Sequence, residues 1–297
     1  KANPGGGGAV YLYGNCNLNF VSCSFEKNTC TADGGAIYLG STYSELKLSD
    51  CSFSSNSAYV DGGAIYNSGV TIISNSKFVG NAATGETAKR SFGGAIRSKG
   101  LIDIEKTAFE NNNAYNLGGA VYGDEVTRIK SSTFMSNSAK DGGAVYTSMM
   151  DQKVTESVFL NNDAHSGNGG AIYNAKSLSV KDTVFTENEG YNGGAVYSEG
   201  TLEVINSTFE DNTANGYGGA IYSENELEVF NSTFTGGFAE IDGGAIYNNN
   251  IATVNNSTFI ANDASGKGGG IYNNRTLKLT ESVFGINYAD EFANIYN

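Results

Sequence analysis

A tetrapeptide of two glycines, a small residue and Ile or Val recurs eleven times along this 297-residue chain. Successive copies lie 24 to 31 residues apart, and the last three intervals are 25 residues each. The first glycines of the copies are Gly7, Gly34, Gly62, Gly93, Gly118, Gly142, Gly169, Gly193, Gly218, Gly243 and Gly268. A sustained period of this size indicates one small unit stacked on itself. We therefore expect residues 1–297 to form a single repeat domain, although the length alone would fit two average domains.

Phenylalanines form a second column in step with the glycines. Ten of the eleven have Asn three residues later, Gly237 being the exception, and each is followed five residues later by Ala, Gly or Cys. The eleven are Phe25, Phe53, Phe78, Phe109, Phe134, Phe159, Phe185, Phe209, Phe234, Phe259 and Phe284. Stacked in register, Phe would pack on Phe along the axis, and Asn could share amide hydrogen bonds with Asn.

Each period reads as three short strands: the glycine-containing segment, an alternating segment such as Leu202-Glu203-Val204, and the segment around Phe. No segment has helical spacing. A period near 25 is too short for a four-stranded propeller blade, and the leucine-rich repeat signature is absent. The sequence therefore predicts an all-β fold: a right-handed parallel β-helix of about eleven coils and three parallel sheets.

The residue after Ile or Val is Tyr in ten copies and Arg97 in one. Because an unpaired arginine inside a narrow apolar core would be very costly, this position is predicted to face outward. The resulting exterior stripe contains Tyr11, Tyr38, Tyr66, Tyr122, Tyr146, Tyr173, Tyr197, Tyr222, Tyr247 and Tyr272. Exposed tyrosines on a flat face would suit contact with a protein or a glycan.

The pairing of Gly-Gly-Ala-(Ile/Val) with Phe-x-x-Asn resembles the double motif of the chlamydial polymorphic membrane proteins. Similar repeats occur in adhesin-like surface proteins of methanogenic archaea and of some parasitic protists. The resemblance covers Gly7 to Asn297. It implies a β-helix passenger displayed at the cell surface and acting in adhesion. We expect this chain to be a mature form, or a fragment or passenger of a longer surface protein.

Charge and composition argue against several other classes of protein. The net charge is −13, and the acids are scattered, which disfavours a nucleic-acid partner because phosphate binding requires clustered Lys and Arg. No apolar run of 18 residues exists, so no membrane-spanning helix is predicted in this segment. The expected location is extracellular or at the cell surface.

Cysteine and asparagine residues offer two kinds of covalent site. Cys23 and Cys51 each stand two residues before their Phe, so adjacent coils would place them within disulfide reach. A disulfide between them is favoured over buried thiols, given the expected oxidising compartment. Asn-x-Ser/Thr triplets that could carry glycans begin at Asn206, Asn231, Asn255, Asn256 and Asn274.

An enzyme was weighed because polysaccharide-active enzymes also use β-helices. Such a site needs clustered carboxylates. Acids outside the repeat columns are Asp103, Glu105, Asp124, Glu125, Glu224 and Glu226. They are better interpreted as solvated strand faces, with Asp103, Glu203, Glu228 and Lys278 in corresponding outward positions. The single histidine, His165, lies in a turn loop. We predict no catalytic residue, metal site or cofactor.

The clearest break in the repeat is the 31-residue interval between Gly62 and Gly93, which inserts a loop over Ala82–Phe92. Loops on rigid scaffolds often carry recognition, although a tolerated surface insertion is the simpler interpretation. The candidate partner surface comprises Lys89, Arg90 and Arg97 together with Tyr122, Tyr146, Tyr173, Tyr197, Tyr222, Tyr247 and Tyr272.

Three functions remain in order of preference. The first is a non-catalytic surface adhesin or interaction rod that binds a protein or glycan on another cell or matrix. The second is a structural subunit of an extracellular filament or matrix, with copies stacked end to end through unpaired strand edges. The third is a polysaccharide-active enzyme.

Overall fold

The computed structural model describes residues 5–86 and 90–297. This part of the chain is all β, with no helix, and its strands pair in parallel to form a β-solenoid of about 11 turns. Accordingly, no helix long and apolar enough to cross a membrane occurs among these residues. The predicted β-helix is confirmed, but the strands form five sheets rather than three.

Three long sheets run the length of the solenoid. Sheet A contains Val10–Leu12, Ile37–Leu39, Ile65–Asn67, Ile96–Ser98, Val121–Gly123, Val145–Thr147, Ile172–Asn174, Val196–Ser198, Ile221–Ser223, Ile246–Asn248, Ile271–Asn273 and Ile295–Tyr296. Sheet B contains Asn17–Val21, Glu45–Ser49, Val70–Ser74, Ile102–Glu105, Thr127–Lys130, Gln152–Thr155, Ser177–Lys181, Thr201–Ile205, Glu226–Phe230, Ile251–Asn255 and Thr276–Thr280. Sheet C contains Ser24–Glu26, Ser52–Ser54, Lys77–Val79, Ala108–Glu110, Thr133–Met135, Val158–Leu160, Val184–Thr186, Thr208–Glu210, Thr233–Thr235, Thr258–Ile260 and Val283–Phe284.

The two additional sheets arise where each coil turns back towards sheet A. Sheet D contains Thr29–Cys30, Ser57–Ala58, Ala82–Ala83 and Asn113–Ala114. Sheet E contains Glu189–Gly190, Thr213–Ala214, Phe238–Ala239, Asp263–Lys267 and Tyr288–Glu291. Isolated bridges through Ser138 and Asp163 join the two sheets, so a fourth ladder of pairing follows the small-residue column. The sequence predicted only three strands per coil, since most of these strands have two residues and so show no alternating pattern.

The paired glycines shape the entry to sheet A for two different reasons. Gly118 has φ +63, and a Cβ there would lie 2.3 Å from the carbonyl oxygen of Val121. Gly119 has an ordinary φ, but its Cβ would lie 2.0 Å from the carbonyl oxygen of Gly143 in the next coil. The first glycine therefore allows a left-handed turn, and the second allows adjacent backbones to approach closely.

The interior is a continuous apolar column enclosed by sheets A, B and C. The phenylalanine rings from Phe25 to Phe284 stack with centroids 4.7–5.0 Å apart. The Ile or Val and Ala side chains of sheet A and the alternating apolar side chains of sheet B pack against these rings. Offset stacking of neighbouring rings adds to the burial of apolar area in every coil.

Two polar ladders close the corners of each coil. The Asn162 side chain accepts hydrogen bonds from Asn137 N and Nδ2 at 3.0 Å, and its own Nδ2 donates to Asn188 and to the Phe134 carbonyl. This pattern repeats through the Asn column and is interrupted at Gly237. In nine of the eleven coils, a Ser or Thr hydroxyl two residues before Phe accepts the backbone N–H of the preceding coil, as Ser157 Oγ does from Ser132 N at 3.1 Å. Both ladders satisfy backbone groups that the turns would otherwise leave unpaired.

Candidate interaction surfaces

The repeated tyrosine column lies on the outer side of sheet A, opposite the phenylalanine core, but it is not the exposed stripe that the sequence predicted. Its rings stack 4.6–5.1 Å apart. Only 8–9% of Tyr122, Tyr173, Tyr197, Tyr222 and Tyr247 is exposed, whereas the first ring, Tyr11, is 40% exposed. Tyr146 and Tyr272 are half-buried. Each inner ring is covered by its two neighbours, which sequence alternation alone does not reveal.

Two carboxylates, each two residues after a tyrosine of the column, accept hydrogen bonds from phenolic hydroxyls of the same coil or of the preceding coil. Tyr222 donates to Glu224 at 3.0 Å, Tyr197 donates to the same carboxylate at 3.3 Å, and Tyr173 donates to Glu199. Burial, followed by these carboxylates, raises the pKa of all three phenols. The tyrosine column is therefore a packed, hydrogen-bonded layer on the outside of sheet A, and most of its ring surface is not exposed for contact with a partner.

Arg97 occupies the one non-tyrosine position in this column and is only 5% exposed. Its guanidinium lies 4.2 Å from the Tyr122 ring centroid, donates to Asp124 and to the Ser98 carbonyl, and has Nε 3.9 Å from Asp61. The side chain thus points away from the apolar core, but it is paired and buried. It is not available as the partner contact that the sequence suggested.

The inserted loop is tied to this arginine through a shared carboxylate. Arg90 Nε donates to Asp61 Oδ2 at 2.9 Å, and its NH2 group lies 3.4 Å from Asp33. The Asp61 side chain is fully buried, whereas that of Arg90 is 44% exposed. Burial and the neighbouring Asp61 charge raise the pKa of Asp33. Lys89, the other loop residue of the candidate surface, lies outside the described residues.

The candidate disulfide is not formed, since Cys23 and Cys51 are both free thiols. They stand in the column that elsewhere carries Ser or Thr. Cys51 Sγ donates to the Ser49 carbonyl at 3.2 Å, as Ser76 Oγ does to Ser74 at 2.7 Å. Cys23 Sγ makes the equivalent contact with Val21 at 3.4 Å. The thiols replace hydroxyls, and the Ser or Thr at the same position of the other coils was the sequence signal for this role.

The sequon asparagines divide by exposure. Asn206, Asn231 and Asn256 are exposed on three successive coils, and their amides form a chain with bonds of 3.2 and 2.8 Å. Asn274 is also exposed. Asn255 is half-buried, and its sequon hydroxyl, Ser257, is 1% exposed and donates to the Asn255 carbonyl.

The carboxylates considered for an enzyme are not brought together in one cluster. In the outward column of sheet B, Asp103 is separated from Glu203 by Arg128, Lys153 and Ser179. The Asp124 carboxylate forms an ion pair with Arg97. His165 is exposed, with Nδ1 2.8 Å from Asp163 Oδ2. Within the described ranges, no group of three or more His, Cys, Asp or Glu residues is placed to hold a metal ion.

A different set of tyrosines is exposed along sheets D and E. Tyr59, Tyr115 and Tyr191 directly follow the small-residue column and are 45%, 49% and 46% exposed. Tyr115 lines a groove of about 300 Å³ together with Lys140 and His165, the equivalent residues of the next two coils. These tyrosines lie outside the glycine motif, and their position after the small residue was the available sequence signal.

The fold and the ladders define a β-solenoid repeat protein in which one coil corresponds to one Phe–Asn and one glycine motif. Six segments match the Chlamydia polymorphic membrane protein repeat, confirming the resemblance: residues 22–40, 50–68, 106–124, 131–148, 156–175 and 206–224. These repeats point to a surface-adhesin-like family. The comparisons with curated proteins and with solved structures gave no match.

Proposed function

We propose that the protein is a non-catalytic, surface-displayed rod that binds a protein or glycan of another cell or of the surrounding matrix. The repeat family supports surface display and adhesion. The stacked coils support a rigid scaffold, because the Phe, Asn and hydroxyl ladders continue through neighbouring coils. Such a scaffold presents side chains at a constant spacing of about 4.8 Å per coil.

The observation that carries the proposal is the exposed face that follows the small-residue column, where Tyr115 lines a groove with Lys140 and His165. Tyr115 and Tyr191 leave about half of their surface exposed, three coils apart, with Lys140 and His165 on the two coils between them. A tyrosine ring offers apolar area for stacking, and its hydroxyl can form hydrogen bonds with sugars or peptides. Aromatic residues of this kind dominate the binding energy of many interfaces.

The test is binding to arrays of glycans and extracellular-matrix proteins. The double variant Tyr115→Ser/Tyr191→Ser should bind at least tenfold more weakly than the wild type, because two aromatic contacts are lost. The matched control is Tyr13→Ser/Tyr43→Ser, which removes two rings that are 71% and 81% exposed outside the groove. Equal binding by the wild type and both variants would exclude the groove, and a wild type without any ligand would contradict the proposal.

A further inference from the structure

The outward-facing residues in the middle of sheet B are positively charged on one side of Ser179 and negatively charged on the other. Arg128 pairs in register with Lys153, Lys153 with Ser179, Ser179 with Glu203, and Glu203 with Glu228. Along the axis the order is two cations, a neutral serine and two anions. A chain with net charge −13 thus concentrates two cations beside two anions on one strand face.

Asp103 stands opposite Arg128 on the preceding strand, but the like-charged neighbours Arg128 and Lys153, and Glu203 and Glu228, do not stabilise the folded chain. Like charges directly opposite each other on adjacent strands are destabilising, whereas alternating signs would be stabilising. In the described part of the chain, the edge cations Lys130 and Lys181 each have a carboxylate within 3.9 Å. Arg128 and Lys153 are exposed and form no such ion pair there. The two central cations are therefore available to an external anionic partner.

We propose that sheet B is a self-association surface on which two copies of the chain pack face to face and antiparallel. A two-fold axis through Ser179, parallel to the strands, places Lys153 opposite the partner's Glu203. The same axis places Arg128 opposite the partner's Glu228. Each contact occurs twice, as required of an interface between identical surfaces.

A second copy fits this face better than an anionic polymer does. A polymer drawn to Arg128 and Lys153 would also meet the carboxylates of Glu203 and Glu228 a few ångströms further along the axis. Only a surface with the reversed order of charges complements both halves, and another copy of this chain supplies it. A shallow groove of about 390 Å³ crosses the centre of the face between Lys153 and Glu228.

The size of the face sets the expected strength. Five strands of four or five residues, spaced by about 4.8 Å, cover somewhat less than about 400 Å² per copy. This area is below that of stable specific interfaces, so association should be weak and transient. It should also weaken with salt, because the ion pairs at such a small interface remain close to solvent.

Sedimentation velocity with charge-reversed variants tests the proposal. The wild type should sediment as a dimer at about 0.02 M salt and as a monomer at about 0.5 M salt, where exposed charges are screened. Arg128→Glu/Lys153→Glu gives a uniformly acidic column, and Glu203→Lys/Glu228→Lys gives a uniformly basic one. Each variant alone should be monomeric, but an equimolar mixture should form a heterodimer.

The matched control is Lys47→Glu/Lys278→Glu, which changes the net charge as much as the acidic variant does but lies in the same column beyond the proposed contact. It should dimerise like the wild type. A wild type that stays monomeric at low salt, or a mixture that does not associate, overturns the proposal. A monomer that binds heparin through Arg128 and Lys153 would overturn it in favour of an anionic glycan. Loss of groove binding by the Tyr115→Ser/Tyr191→Ser variant is a separate readout and leaves this result unaffected.

Discussion

The irregular coil between Gly62 and Gly93 and the regular coils between Gly193 and Gly268 share one interior but differ on the outer side of sheet A. The phenylalanine stack crosses both without interruption, with centroids 4.9 Å apart for Phe78 and Phe109 and 4.8 Å apart for Phe209 and Phe234. The six extra residues of the irregular interval do not change the spacing of the phenylalanine rings in the core. Length variation is therefore tolerated wherever the Phe, Asn and Ile or Val columns stay in register.

The two regions differ in the side chains that pack on the outer side of sheet A. In the regular coils, Tyr197, Tyr222 and Tyr247 stack in sequence. Tyr197 and Tyr222 donate to Glu224, and the Tyr247 hydroxyl accepts from Asn274 Nδ2. In the irregular coil, Arg97 replaces the ring and shares the buried Asp61 with Arg90 of the inserted loop. Phe92 of the inserted loop still stacks on Tyr122, with centroids 4.9 Å apart, but an ion-pair network takes the place of the missing tyrosine. The two regions should therefore respond differently to pH and to substitution.

Alkaline titration should produce the largest effect, and it acts on the regular coils. Burial raises the pKa of Tyr247 to about 12, and burial beside carboxylates raises the pKa of Tyr173, Tyr197 and Tyr222 as well. An unfolded tyrosine ionises near pH 10, so above that value the unfolded state binds fewer protons than the folded state. The stability from these phenols is complete below about pH 10 and is lost as the pH rises through the folded pKa values.

The chain contains no tryptophan, so tyrosinate absorbance reports this transition directly, and far-ultraviolet circular dichroism follows the sheets. The stacked tyrosines, whose pKa values are raised, should ionise together with unfolding. Tyr222→Phe should unfold at a higher pH than the wild type because it removes one of the ionising hydroxyls. Tyr43→Phe, on an exposed ring, should leave the unfolding pH unchanged. Identical midpoints for Tyr222→Phe and the wild type would show that the stack does not control alkaline stability.

Asp61→Ala should cause the largest loss among the single substitutions in the irregular coil. The side chain is fully buried, and its removal leaves Arg97 in a nearly buried site with only Asp124 as a counter-charge. Breaking a buried ion pair in this way costs about 3–5 kcal/mol. Urea unfolding of the variant and the wild type would measure the difference.

The regular coils contain a matched control for the loss of stability expected from Asp61→Ala. Asp242 is the equivalent residue before a glycine pair, but it is half-buried, and its carboxylate accepts a hydrogen bond from the Lys267 backbone at 2.8 Å. Asp242→Ala should therefore cost only about 1 kcal/mol. If the two substitutions cost the same, the arginine network contributes nothing beyond the hydrogen bond that both aspartates make.

The sequence predicted the interior of this molecule better than its surface, for a physical reason. Inward positions repeat in every coil because each must fit the same space, so the columns of Phe, Asn and Ile or Val could be identified directly. Outward positions depend on neighbours in adjacent coils. The direction of Tyr222 was deduced from Arg97, but the burial of its ring requires Tyr197 and Tyr247 to lie above and below it.

The cysteines illustrate the same limit. The repeat predicted that Cys23 and Cys51 lie side by side, and this proximity together with the expected oxidising compartment favoured a disulfide. The structure shows that each thiol is directed to a carbonyl of its own chain segment, as the Ser and Thr hydroxyls of the same column are. The equivalence of Cys, Ser and Thr two residues before Phe was visible in the sequence. The role of these residues could not be inferred without knowing that their side chains form hydrogen bonds with a backbone carbonyl.

The smallest predicted difference in stability is between two residues of the asparagine ladder. Asn137 lies in an intact section, and Asn212 lies beside the interruption at Gly237. Asn137 Nδ2 donates to both the Phe109 carbonyl and Asn162, whereas Asn212 Nδ2 donates only to the Phe185 carbonyl because Gly237 supplies no side chain. Asn137→Ala should cost about 1–3 kcal/mol, since it leaves buried groups unpaired. Asn212→Ala removes one hydrogen bond fewer and should cost about 1 kcal/mol less in urea unfolding. Equal losses would mean that the amide-to-amide bonds add nothing, so that the ladder stabilises the coil only by capping the backbone.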